Sequence, residues 1–170
     1  MDVPQPRVLG ETAAEFTVER GAALREVTLD LARQSRHTVD IASRHLDPLL
    51  YDNEEFAEAI KAVALGSRRA QIRLLVSDPA PLVRQGHRLL ALASRLTSFI
   101  SLRIPAPEHK DFDEAWLVGD NKGYAYRRFS DRFEATINFS DSRRAVQLWN
   151  RFEELWQRAS PDPNLRRLHL

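Results

Sequence analysis

Residues 114–128 read EAWLVGDNKGYAYRR, which has the pattern of a β-hairpin. Ala115, Trp116, Leu117 and Val118 form an apolar run that stops at Gly119 and Asp120. Asp120-Asn121-Lys122-Gly123 is turn chemistry: Asp and Asn bond their own backbone, and Gly123 is expected to take a positive φ. Tyr124, Ala125 and Tyr126 return as the second strand.

Upstream of the hairpin, helical and extended signals alternate. Leu24, Val27, Leu31 and Ala32 recur at helical spacing over 21–35. HTVDIA (37–42) is a strand rich in β-branched residues, and SRHLDP (43–48) is a polar loop. Asp52 or Asn53 starts a helix that stops near Gly66, with its first-turn acids matching the helix dipole. QIRLLV (71–76) is a second strand. Asp78 and Pro79 then open a helix expected to run to about residue 94, with Gly86 inside its buried arc and in close backbone contact. Residues 99–104 form a third strand. Downstream of the hairpin, 135–139 is a short strand, and Ser140 or Asp141 caps a last helix. Its stripe of Ala145, Leu148, Trp149, Phe152, Leu155 and Trp156 is the clearest amphipathic signal in the chain.

Alternating strands and helices imply an α/β domain: a mixed, mostly parallel sheet with helices on both faces. Residues 1–19 read as an N-terminal arm in which 8–9 and 16–18 could add edge strands. Residues 20–170 read as one domain, its tail packing through Leu165 and Leu168. The length of 170 residues and the 43% hydrophobic content suit one sizeable core. With 25 basic against 24 acidic residues, a whole-molecule basic field for nucleic acid is absent, so nucleic acid is not the expected partner, although a local patch is compatible with this balance. The chain has no cysteine, which removes thiol nucleophiles and thiolate metal sites. The first residues lack the basic start and apolar core of a signal peptide, and no apolar run nears a membrane span, so a cytoplasmic location is expected.

The element order over 21–157, with its strand, turn and return strand, resembles one half of a phospholipase D superfamily protein. The family motif is His-x-Lys-x-x-x-x-Asp: the His attacks phosphorus, the Lys binds phosphate and the Asp sits at the strand end. Aligned on Asp120, the motif places Asp113 at the His position and Ala115 at the Lys position, so the likeness implies the fold without the chemistry. Asn138 echoes a later Asn of the family, without the Gly-Ser that precedes it there. SRHLDPLLYD, SDPAPLVRQGHRLL and DEAWLVGDNKGYAYR also resemble an uncharacterised group of bacterial phospholipase-D-like domains, some beside acetyltransferase domains. Complete family sites join two halves, so the resemblance implies a homodimer as one arrangement.

Ligands of parallel sheets sit at the strands' carboxyl ends. That rule gathers His45 and Asp47 after the first strand, Asp78 and His87 after the second, and Asp113 and Arg127 with the hairpin; Asp120 joins them through the motif. Arg with His suits an anionic group, and His with Asp can polarise water. Competing structural readings are helix capping for Asp47 and Asp78, and a boundary histidine on a backbone carbonyl for His87. Asp40, inside a strand, needs a polar partner. No metal site and no cofactor are assigned. The expected function is a non-catalytic binding or interaction module for an anionic or phosphorylated group, or for a protein partner. Its alternatives are a hydrolase or phosphodiesterase rebuilt on His45, Asp78 and His87, and an accessory domain for an acetyltransferase.

Overall fold

The computed structural model describes residues 6–162. The tail positions Leu165 and Leu168 lie outside them. Seven strands form one sheet: β1 (Phe16–Val18), β2 (Thr38–Ser43), β3 (Gln71–Val76), β4 (Ile100–Arg103), β5 (Ala115–Gly119), β6 (Gly123–Arg127) and β7 (Ala135–Asn138). Their order is β1-β7-β6-β5-β2-β3-β4. Six α-helices accompany them: α1 (Gly21–Gln34), α2 (Pro48–Tyr51), α3 (Glu54–Gly66), α4 (Ala80–Gln85), α5 (Arg88–Arg95) and α6 (Ser142–Gln157).

The expectation of a mostly parallel sheet is corrected. Only β2–β3 and β3–β4 are parallel, and the other four pairs are antiparallel. The crossover rule holds where helices separate strands, between β2 and β4. From β5 onward the connections are too short to carry a crossover helix, so the chain folds back on itself.

Helices cover both faces. The larger core places Leu24, Val27 and Leu31 of α1 and Phe56, Ile60 and Val63 of α3 against Val39, Ile41, Ile72 and Leu74. On the other face α6 packs Ala145, Leu148, Phe152 and Trp156 over Ala42, Leu75, Trp116 and Val118. Asp40 faces this second core at 2% exposure and finds its polar partner there. Arg73 grips it at 2.9 and 3.2 Å and also bonds Glu153 of α6. Burial pushes the Asp40 pKa up, against the opposing pull of Arg73.

Helix starts follow the expected chemistry at two places. Asn53 accepts from Phe56 N at 2.8 Å, and Asp141 accepts from Arg144 N at 3.0 Å. The helix expected after Pro79 is broken. α4 ends at Gly86, whose φ is +73, and α5 begins one residue later with His87 as its cap. Gly86 has open space around its α-carbon, so no close packing explains it; it serves the turn. In the arm, β1 pairs with β7 as an edge strand, whereas Val8 and Leu9 form none. Arg7 anchors the arm to Glu26 and Asp30 of α1.

Candidate functional site

Register places the candidate residues at the two opposite ends of the strands, each row of strand ends forming one edge running across the sheet. Ser43 lies opposite Val76 at the carboxyl ends of β2 and β3, and Ala115 lies opposite Arg127 where β5 starts and β6 ends. His45, Asp47, Asp78, Asp113 and Arg127 therefore share one edge. β5 runs antiparallel to β2, pairing Val39 with Gly119, so Asp120 emerges at the other edge.

Asp120 is a structural residue there. Its Oδ2 accepts from Arg36 N at 2.8 Å, and its Oδ1 accepts from His37 N at 2.8 Å and Thr38 N at 2.9 Å. The carboxylate ties the α1–β2 loop to the hairpin, and its placement as a ligand contact is corrected on that ground. Asn138 lies opposite Tyr124 on the same edge and accepts from Ser140 N at 3.0 Å.

At the carboxyl-end edge, Arg127 is 3% exposed and fully engaged. It bonds both Asp47 oxygens, at 2.9 and 3.3 Å, and donates to the carbonyls of Arg132 and Ser130 at 2.8 and 2.6 Å. A guanidinium so neutralised and enclosed offers nothing to an anion. Asp47 makes no capping bond to α2; the buried arginine has captured its side chain.

His87 is also spoken for. Its Nδ1 accepts from Leu89 N at 3.0 Å, and its Nε2 donates to the Leu46 carbonyl at 3.0 Å. Burial lowers its pKa, consistent with this neutral tautomer. The boundary-histidine reading holds, and since the helix expected to run from Pro79 to about residue 94 is broken, His87 is a helix cap.

His45 differs. Its side chain is 39% exposed, and its Nδ1 lies 3.1 Å from the Asp78 carbonyl oxygen and 3.6 Å from Asp78 Oδ2. Asp78 Oδ1 also accepts from Ala80 N at 3.2 Å, a local bond two residues on; Pro79 holds the cap position of α4, so the expectation of Asp78 as its cap is corrected. Asp113 is exposed and accepts from Ser130 Oγ at 3.2 Å.

A cleft of about 530 Å³ opens beside these groups, lined by Arg44, Ser77, Asp78, Lys110, Asp111, Phe112 and Asp113. Two of the expected residues, Asp78 and Asp113, face it. Arg44, Lys110 and Asp111 were missed as site residues. Lys110 and Asp111 follow β4, whose carboxyl end lies on the same edge, so the strand-end rule applied to that third loop would have found them. Among the described residues no group of three His, Asp or Glu side chains gathers to hold a metal ion.

The chain belongs to the DUF7931 family. The model of that family, a domain of unknown function, matches residues 20–168. No curated protein matches the chain. Among solved structures, TrmBL2, an archaeal chromatin protein with a novel mode of DNA binding, is similar with a TM-score of 0.63 and 14% identity over 94% of this chain; the DUF7931 chain spans about half, 55%, of that protein. NucT from Helicobacter pylori gives a TM-score of 0.61 at 11% identity, covering 88% of this chain and 99% of NucT. Nuc from Salmonella typhimurium, a phospholipase D family member, gives 0.56 at 11% identity, covering 88% and 96%. At such identities the likeness concerns fold alone: this DUF7931 chain has a phospholipase D-like α/β fold. Among the described residues no helix is long and apolar enough to cross a membrane.

Proposed function

We propose that this DUF7931 domain is a non-catalytic phospholipase D-like binding module, with its ligand at the carboxyl-end cleft. One observation carries the reading: at the two motif positions that perform the family's chemistry, the chain has an exposed carboxylate, Asp113, and a buried methyl group, Ala115. Displacement at phosphorus needs a neutral imidazole and a cation converging on one atom, and neither residue type supplies them. Arg44 and Lys110 are the exposed cations of the cleft and are assigned the anionic or phosphorylated part of a ligand. Asp78, Asp111 and Asp113 accept from its donors. A homodimer that brings two such clefts together, a cytoplasmic location and a domain spanning 20–170 belong to the same proposal.

The test is turnover of bis-p-nitrophenyl phosphate and of nucleic-acid phosphodiesters. The expected result is none above buffer. A thermal-shift screen with phosphorylated metabolites should yield a stabilising ligand whose effect is lost in Arg44→Ala/Lys110→Ala.

A second reading rests on His45. Its Nδ1 is held by Asp78, which leaves Nε2 as the ring nitrogen available to a substrate, the arrangement of a general base or nucleophile. His87 drops out of this version because both its nitrogens are engaged. Phosphodiester turnover abolished by His45→Gln would establish this reading and overturn the first. The acetyltransferase-accessory alternative predicts recovery of an acetyltransferase when the full chain is used as bait in its host.

A further inference from the structure

The edge opposite the cleft carries a row of four unpaired cations and one histidine. In sheet order, Lys122 sits in the β5–β6 turn, Arg36 and His37 precede β2, and Arg68 and Arg69 precede β3. All five are exposed, and among the described residues none forms an ion pair. The two loops are neighbours, joined by the bond from Gln71 N to the His37 carbonyl at 2.9 Å. A hollow of about 390 Å³ lies between the first loop and α3, with Arg36 and His37 on one side and Ala59, Ala62, Val63 and Gly66 on the other.

The loops 33–38 (RQSRHT) and 66–71 (GSRRAQ) contain no acid. Two carboxylates reach this edge: Asp120 has both oxygens engaged on backbone N–H groups, and Asp141, whose N–H bonds the Lys122 carbonyl, caps the positive end of α6 by accepting from Arg144 N. The Asp120 clamp also holds the Arg36–His37 backbone in place, so the cations project from an ordered loop. Adjacent strands lie roughly 4.8 Å apart, so the cations from β5 to β3 are spread over about 10 Å of edge.

A simpler account is that the cations complement the C-termini of α1 and α3, which end here. The magnitudes decide against this as the whole explanation. Two helix ends contribute about −0.5 charge each, whereas three guanidiniums and one ammonium contribute +4. The Asp120 carboxylate contributes a further −1, so a surplus of roughly two positive charges remains, in a chain whose net charge is only +1.

We propose that this edge, formed by Arg36, His37, Arg68, Arg69 and Lys122, binds the phosphate backbone of nucleic acid without reading its sequence. Guanidiniums suit phosphate oxygens through paired N–H donors. Apart from the imidazole of His37, the row has no aromatic side chain to stack on bases, which makes the contact one of backbone charge. The site is independent of the cleft and of its proposed role.

The test is fluorescence anisotropy of a labelled duplex oligonucleotide with the full chain, titrated from low to moderate salt. Each phosphate contact contributes about −0.9 to the slope of log affinity against log salt, so a slope of about −3 to −4 is expected. Arg36→Ala/Arg68→Ala/Arg69→Ala should flatten it by about 3 and weaken low-salt binding at least about tenfold. Arg44→Ala/Lys110→Ala, at the cleft, should leave it unchanged. Circular dichroism checks folding; if the triple variant does not fold, each single variant should flatten the slope by about 1. The proposal is overturned by absence of binding at low salt, by an unchanged slope in the variants, by loss of binding in the cleft variant, or by capture on anionic phosphatidylglycerol vesicles with no oligonucleotide binding. A triple variant that changes only the melting temperature would establish the helix-end account instead.

Discussion

At the scale of single residues, Asp120 and His87 show how a functional-looking side chain becomes structural. Asp120 satisfies three backbone N–H groups with one carboxylate. Bonds to a charged group contribute more than neutral ones, so Asp120→Ala should cost about 2–4 kcal/mol, read as a lower urea midpoint at unchanged slope. His87 serves through its neutral form, because Nδ1 must accept from Leu89 N and protonation would remove that acceptor. Burial is the main cause of its lowered pKa, outweighing the upward pull of Asp52 and the Leu46 carbonyl. The unfolded chain, with a histidine near 6.5, therefore takes up the proton first as the pH falls. Stability is intact above that value and declines below it, until the folded pKa is passed. His87→Asn keeps a capping oxygen and has no proton to bind, so urea midpoints at pH 7.5 and 5.5 should differ less in the variant than in the wild type. An equal difference would remove His87 from the account.

At the scale of elements, the hairpin turns by a different route from the one its glycine implies. Asp120 and Asn121 hold the positive φ angles, 52° and 55°, and Lys122 N bonds the Gly119 carbonyl at 3.0 Å, closing a type I′ turn. Gly123 is needed for space: a β-carbon there would lie 2.6 Å from Leu9 Cδ1 and 3.0 Å from the Asn138 and Phe139 carbonyl oxygens. The two roles separate experimentally. Asn121→Gly should be neutral or slightly stabilising, because glycine accepts the left-handed conformation freely. Gly123→Ala should destabilise by about 1–3 kcal/mol through overpacking against backbone. Thermal melts of the two variants check both expectations.

At the scale of the whole molecule, the sheet has a different charge character at each edge and a buried ion network under one face. Arg73 links the sheet residue Asp40 to Glu153 of α6, and its guanidinium carbon lies 4.8 Å above the Phe152 ring. Asp40→Ala leaves a mostly buried guanidinium with one partner instead of two. The expected loss is about 3–5 kcal/mol, with the near-ultraviolet signal of Trp116 and Trp156 changing as α6 loosens. Replacing both members, Asp40→Leu/Arg73→Met, should restore much of that loss, since matched apolar residues avoid the desolvation of the charges.

Element types and most boundaries were legible in the chain because they depend on local chemistry: the 3.6-residue stripe of α6, the caps at Asn53 and Asp141, and the β-branched run of β2. The strand-end rule also brought His45, Asp78 and Asp113 to one edge. Contacts between residues distant in sequence were not legible. Arg127 and Asp47 are 80 positions apart, and Asp120 meets Arg36 across 84. Whether such a side chain is free for a ligand depends on which backbone and which countercharge the fold brings beside it. Strand direction follows the same logic: the parallel or antiparallel sense of a pair is set by where the chain re-enters the sheet, and that is a property of the assembled layers.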